Sequence, residues 1–297
     1  MFLFQTIQRD SVIHFPMLGD LSINPPASFS LFGMDIYFYG VIIAFGFLLG
    51  ALYCARHARD FGVTTDDVYD FLLCLIPASI VGARLYYVVF RLDYYLANPG
   101  EILNLREGGL AIYGGILFGI LAAWLLCRKK KIPVFAFLDL IVFGLLIGQC
   151  LGRWGNFFNR EAFGAETSIF CRMGLTAPDG TEIFVHPTFL YESLWNLGTL
   201  LFLIWFNKKG LRKFDGQNLL LYFLCYGVGR FWIEGLRTDS LYIGATNIRA
   251  SQVLSLALVL LSVTLLLLQR RNPNKKELYA RRAENPPPIE ENKQTQI

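Results

Sequence analysis

Residues 134–151 read VFAFLDLIVFGLLIGQCL, an unbroken apolar run that carries a single charge, Asp139. A helix needs about 17–25 such residues to cross roughly 30 Å of hydrocarbon. Lipid offers no partners to backbone polar groups, so they must bond within their own helix. The run therefore reads as a membrane-spanning helix. Working outward, six further stretches have the same character: Ile36–Cys54, Val68–Phe90, Leu110–Leu126, Thr188–Phe206, Asn218–Ile233 and Gln252–Leu268. The expectation is an all-α integral membrane protein of about seven transmembrane helices. Composition agrees: of 297 residues, 54% are hydrophobic and only 17% charged, too little polar surface for a soluble domain of this length.

Cytoplasmic loops carry an excess of Lys and Arg. The connections after spans one, three, five and seven hold 17 of them, and the remaining connections with the N-terminal segment hold 8. Odd-numbered connections therefore read as cytoplasmic, with the N-terminus outside and the C-terminus inside. Residues 1–35 read as an extracytoplasmic segment. Its first part, Met1–Asp20, lacks a basic start and a small-residue cleavage site, so it does not read as a cleavable signal peptide. Residues 36–268 form the transmembrane domain. Within it, 153–186 read as a small extracytoplasmic head between helices four and five, where Pro178-Asp179-Gly180 makes a turn between two short extended pieces. Residues 269–297, basic and holding Pro286-Pro287-Pro288, read as a disordered cytoplasmic tail.

Five of the six cysteines fall in apolar runs and only Cys171 lies in a polar loop, so no disulfide framework, metal site or cofactor is expected. No basic face interleaved with aromatics supports nucleic-acid binding. Spacings such as Gly46/Gly50, Gly115/Gly119 and Gly144/Gly148/Gly152 point to close helix packing.

Charges inside lipid are costly unless they face a partner or a cavity. Arg84 lies well inside span two, and Asp139 is near enough to a span end for snorkelling to account for it. Arg153, His186, Glu192, Arg230, Glu234 and Arg237 all map to the extracytoplasmic ends of spans four, five and six, beside Gly114-Gly115 at the start of span three. One reading is an ion-pair set that holds helices together, with His186 a plain helix-entry residue. The other is a polar pocket near the outer leaflet, where Arg forks suit a phosphate and the natural ligand is a phospholipid headgroup. A transporter or channel lined by these charges is the rival from another class, although neither paired repeats nor charges spread across the membrane are seen.

The stretch Gly152-Arg153-Trp154-Gly155-Asn156-Phe157-Phe158-Asn159-Arg160-Glu161-Ala162-Phe163-Gly164 resembles the signature of the bacterial prolipoprotein diacylglyceryl transferases. Further matches follow in the family's order from about Ser30 to Leu268. They are Tyr39-Gly40, Gly82-Ala83-Arg84-Leu85, Gly108 to Gly115, His186-Pro187-Thr188 with Tyr191-Glu192, and Gly229-Arg230-Phe231 with Glu234 and Arg237. The resemblance implies a plasma-membrane enzyme that moves the diacylglyceryl group of phosphatidylglycerol to the lipobox cysteine of preprolipoproteins, forming a thioether and releasing glycerol 1-phosphate. It implies catalytic roles for Arg153, Arg230, Tyr113, Glu234 and His186. Tyr39, Asn156, Glu161, Gly164, Arg237, Gly114 and Gly115 would bind substrate. The resemblance also carries a departure: many members have His where this chain has Tyr113, so the group that takes the thiol proton stays open.

Overall fold

The computed structural model describes residues 11–19, 21–104, 108–238, 240–244, 246, 248–271 and 278–284. Among them, seven helices are long and apolar enough to cross a membrane. They are α1 (Phe38–His57, extended to Phe61 by a 3-10 turn), α2 (Thr65–Val89), α4 (Ile112–Lys130), α5 (Val134–Asn159), α6 (Thr188–Lys208), α7 (Gln217–Leu236) and α8 (Ala250–Arg271). Short helices α3 (Leu92–Ala97) and α9 (Tyr279–Glu284) complete the helical set. The seven spans match the seven runs read from sequence, and most extend past the apolar limits. Leu254, Leu260, Leu261 and Leu268 of α8 stand exposed, as residues that face lipid do.

The chain divides into two compact units, Met1–Tyr53 with Ile141–Lys276 and Cys54–Leu140 with Glu277–Ile297. The first holds α6, α7, α8 and a four-stranded antiparallel sheet in the order β2-β1-β5-β6. Strands β5 (Met173–Thr176) and β6 (Glu182–Val185) come from the segment between α5 and α6. They flank Pro178-Asp179-Gly180, where Asp179 Oδ1 accepts from Thr181 N at 2.9 Å and its pKa is held low by that bond. Strands β1 (Val12–Phe15) and β2 (Leu21–Ile23) come from the N-terminal segment. Ile13, Leu175 and Ile183 align across the sheet and pack with Val185, Phe157 and Phe189 in one apolar cluster. The expected head is thus only half of a layer that the N-terminal segment completes, and the fold is helical with this β addition. A second hairpin, β3 (Ser28–Leu31) and β4 (Met34–Tyr37), leads directly into α1.

In the second unit α2 and α4 meet where neither Gly82 nor Gly114 has a side chain, so each backbone fills the other's Cβ position. Thr64 and Asp67 form a capping box at the start of α2, and Lys130 at the end of α4 pairs with Asp67 and Asp70, both at 2.6 Å. Arg84, a buried charge, spends four of its five N–H donors on backbone. Nε reaches Ile102 O, Nη1 reaches Gly108 O and Gly109 O, and Nη2 reaches Glu101 O, at 2.6–3.0 Å. Asp139 is 0% exposed, which overturns the snorkelling account: the side chain points into the protein and does not reach the interface. In the expected tail, Tyr279–Glu284 is helical and packs at Gly62, while 272–277 and the triple proline at 286–288 lie outside the described residues.

Candidate active site

The site belongs to the first unit and is built by the end of α5, the start of α6 and the end of α7. Helix α5 runs eight residues past the apolar run ending at Leu151, to Asn159, and so carries Arg153 and Asn156 on its last turns. Polar residues could extend the helix because each found a partner. Glu192 on α6, 5% exposed, is the centre. Its Oε2 receives Arg153 Nη2 at 2.5 Å, and its Oε1 receives Arg230 Nη1 at 3.0 Å and Arg237 Nη1 at 3.3 Å. Arg230 Nη2 contacts Glu234 Oε2 at 2.6 Å, one helical turn along α7. Three guanidiniums therefore meet two carboxylates in a place largely withdrawn from water, and an anion with several acceptor oxygens suits the donors they present.

The network continues outward. Arg153 Nη1 donates to Asn156 Oδ1 at 3.3 Å, and Glu161 Oε1 accepts from Asn156 Nδ2 at 3.0 Å and Asn159 Nδ2 at 3.2 Å. After α5 the chain turns through Arg160 and Ala162, both at positive φ of 52° and 58°. A left-handed conformation is unfavourable for such residues and persists only when neighbours enforce it. Buried Arg160 supplies that enforcement, donating to Ser11 O at 3.0 Å, Phe158 O at 2.5 Å and Asn24 Oδ1 at 2.8 Å. The turn delivers Gly164, whose N–H donates to His186 O at 2.9 Å and which bridges Arg237. A Cβ at Gly164 would lie 2.7 Å from His186 Cβ, so only glycine permits this approach.

His186 precedes α6. Its Nδ1 lies 3.4 Å from Tyr191 Oη, which in turn lies 3.4 Å from Cys171 Sγ. Burial holds the imidazole below its ordinary pKa, so it is neutral at neutral pH. Tyr39, on the first turn of α1, lays its ring against Gly155. A small cavity of about 10 Å³ is lined by Glu192, Asn196, Tyr226 and Arg230 among others.

Of the residues expected from sequence, Arg153, Arg230, Arg237, Glu234, Asn156 and Glu161 form one connected network, with His186 and Gly164 joined to it through backbone. Tyr113, Gly114 and Gly115 belong to the second unit. There Tyr113 is exposed on the first turn of α4, while Gly114 and Gly115 pack on Gly82 and Ser79 of α2. Sequence reasoning placed Glu192 in the charge cluster but gave it no role, although it is the hub, and the signal was present: an acid inside a span needs a partner. Arg249 was missed as well. It donates to Glu234 O at 2.5 Å and Arg237 O at 3.3 Å, closing the end of α7. No pattern around Arg249 distinguishes it from an ordinary loop cation.

Comparison with known proteins gives a consistent result. Residues 26–268 match the family model described as prolipoprotein diacylglyceryl transferase. The chain is similar to the phosphatidylglycerol–prolipoprotein diacylglyceryl transferase of Finegoldia magna, 43% identical over 80% of this chain and 93% of the relative. It is also similar to those of Enterococcus faecalis, 43% identical over 84% and 92%, and Clostridioides difficile, 44% identical over 77% and 89%. The transporter reading finds no support in these matches, nor in a charge cluster confined to one end of α5, α6 and α7.

Proposed function

Because the chain belongs to the prolipoprotein diacylglyceryl transferase family, we propose that the three arginines gathered on Glu192 are where phosphatidylglycerol gives up its diacylglyceryl group. The protein is a multi-pass bacterial membrane protein that transfers diacylglyceryl from phosphatidylglycerol to prolipoproteins. The observation that carries the assignment of the site is Glu192, a buried carboxylate that gathers three guanidiniums.

The acceptor in this reading is the thiol of the lipobox cysteine. Sulfur attacks the glyceryl carbon that bears the phosphate oxygen, a C–S bond forms, and the C–O bond breaks. The electron pair leaves on oxygen, so the product is glycerol 1-phosphate, and the thiol proton passes to a base. Charge gathers on the leaving phosphate, and Arg153 and Arg230 are the fixed donors that stabilise it. Glu192 and Glu234 hold those guanidiniums in place before substrate arrives. Asn156, Glu161, Gly164, Arg237 and Tyr39 shape the pocket wall. The family resemblance adds Tyr113, Gly114 and Gly115 of the second unit as residues that bind and orient substrate.

The active site faces the outer leaflet, with the N-terminus outside and the C-terminus in the cytoplasm. Two observations favour this orientation. The cluster ends of α5, α6 and α7 are poor in Lys, whereas the opposite ends of α6 and α8 carry Lys208 and Arg270-Arg271.

The test is mass spectrometry of a lipobox peptide incubated with the purified protein and phosphatidylglycerol in detergent. A gain of one diacylglyceryl group on cysteine, matched by released glycerol phosphate, is expected. Folded protein that gives no gain beside a working control enzyme would sink this reading.

A further inference from the structure

Cys171, Tyr191 and His186 form a chain of hydrogen bonds to which the reaction above gives no task. The Tyr191 phenol is held in place, its ring stacked on Trp232 at 6.0 Å and set edge-on to His186 at 6.1 Å. Its oxygen stands 3.4 Å from both Cys171 Sγ and His186 Nδ1. Each link holds one proton, so the chain can be polarised in two ways. In the first, His186 Nδ1–H donates to Tyr191, whose hydroxyl donates to sulfur, and Nε2 is left with a bare lone pair. In the second, the Cys171 thiol donates to Tyr191, whose hydroxyl donates to Nδ1, and the imidazole proton sits on Nε2.

The second polarity puts the stronger donor on the stronger acceptor. A phenol is a good donor and an imidazole nitrogen a good acceptor, whereas sulfur accepts weakly. Nε2 makes no protein hydrogen bond among the described residues. The His186 carbonyl accepts from Gly164 N–H, and Gly164 bridges Arg237, so the backbone of His186 is joined to that of the arginine cluster through one residue.

We propose that Cys171 and Tyr191 hold His186 in the tautomer protonated on Nε2, making it a hydrogen-bond donor to the lipid phosphate and not the base for the thiol. This rests on the reading of the arginine cluster as the phosphate site. His186 touches substrate, while Tyr191 and Cys171 are positioning residues that act through it. A neutral donor suits the place, because a fourth cation beside three guanidiniums would add repulsion. The low pKa of His186 keeps it neutral.

Nitrogen-15 NMR of the full chain labelled at histidine, in detergent at neutral pH, reads the tautomer directly. Only three histidines are present, so His14→Gln and His57→Gln assign the His186 signal even where a His186 variant does not fold. The expected result is a protonated Nε2 with a bare Nδ1, and a protonated Nδ1 overturns the proposal. Activity gives an independent arm. His186→Gln supplies an amide N–H close to the Nε2 position but cannot take up a proton, so it should retain activity within about tenfold of wild type. The ratio of the two rates should stay constant between about pH 5.5 and 8, because a base role would make wild type lose ground as its imidazole protonates. His186→Ala should be lower by a further fivefold or so. If Gln were no better than Ala, or the ratio fell with pH, the donor role would be lost. Tyr191→Phe should admit the other tautomer and slow transfer about fivefold, whereas Cys171→Ser should keep both the tautomer and the rate. An unchanged tautomer in Tyr191→Phe would remove the positioning role. Wild-type protein that transfers nothing would count against the function reading and leave the tautomer result standing.

Discussion

Arg153 and Glu192 pair at 2.5 Å in the cluster proposed as the phosphate site. Arg153 sits on the last turns of α5 with Nη2 on Glu192 and Nη1 on Asn156, so its guanidinium is oriented before any ligand binds. Arg153→Ala should lower kcat by about 10²–10³, the usual loss when one preorganised donor to a developing anion is removed, with less effect on KM. Peptide-modification kinetics at varied phosphatidylglycerol check this. Glu192→Gln keeps the shape but leaves three guanidiniums facing a neutral amide. Breaking a buried ion pair from one side costs roughly 3–5 kcal/mol, so the variant should melt earlier in detergent as well as lose activity. A melting temperature equal to wild type would mean that Glu192 does not hold the cluster. Each of these charges was legible in the sequence as an ionisable group at a membrane depth. Their convergence on Glu192 was not, because the partners lie 38 to 45 residues away along the chain and no local pattern records such a distance. Arg84 makes the opposite point. It reads from sequence as a charge inside a span that needs a partner or a cavity, and it proves to be a brace for the backbone carbonyls of Glu101, Ile102, Gly108 and Gly109.

At the scale of elements, apolar runs located all seven spans, since lipid rewards long apolar helices and little else. Their ends were less legible. Hydropathy stopped at Leu151, yet α5 continues to Asn159, because Arg153, Asn156 and Asn159 each gain side-chain partners that replace water. The sheet was half visible. The turn at Pro178-Asp179-Gly180 announces β5 and β6, but strands of three or four residues show too little alternation to reveal that β1 and β2 complete the layer. Arg160 ties the two halves together by reaching Ser11 and Asn24 from the end of α5. Arg160→Ala should therefore free the N-terminal strands and relax the two left-handed residues of the turn. Limited proteolysis should cut near residues 16–24 faster than in wild type. Transfer should fall as Gly164 and Glu161 lose their placement. A variant with wild-type proteolysis and activity would show that the sheet and turn hold without this clamp.

For the molecule as a whole, the charges outside the spans bear on which side of the membrane the site faces. The cluster lies at the C-terminal ends of α5 and α7 and the N-terminal end of α6, so all its members share one side. The connection from α6 to α7 leaves the other side and carries Lys208, Lys209, Arg212 and Lys213. Short connections rich in Lys and Arg favour the cytoplasmic side during insertion, so the proposed orientation puts this set of four inside. Ser168, exposed in the segment between α5 and α6, and Lys209, exposed after α6, therefore report opposite sides. With native cysteines replaced, Ser168→Cys in intact cells should react with a membrane-impermeant maleimide, and Lys209→Cys should react only after the cells are opened. The reverse pattern would place the arginine cluster at the cytoplasmic leaflet, where the phosphatidylglycerol it uses would have to come from the inner face.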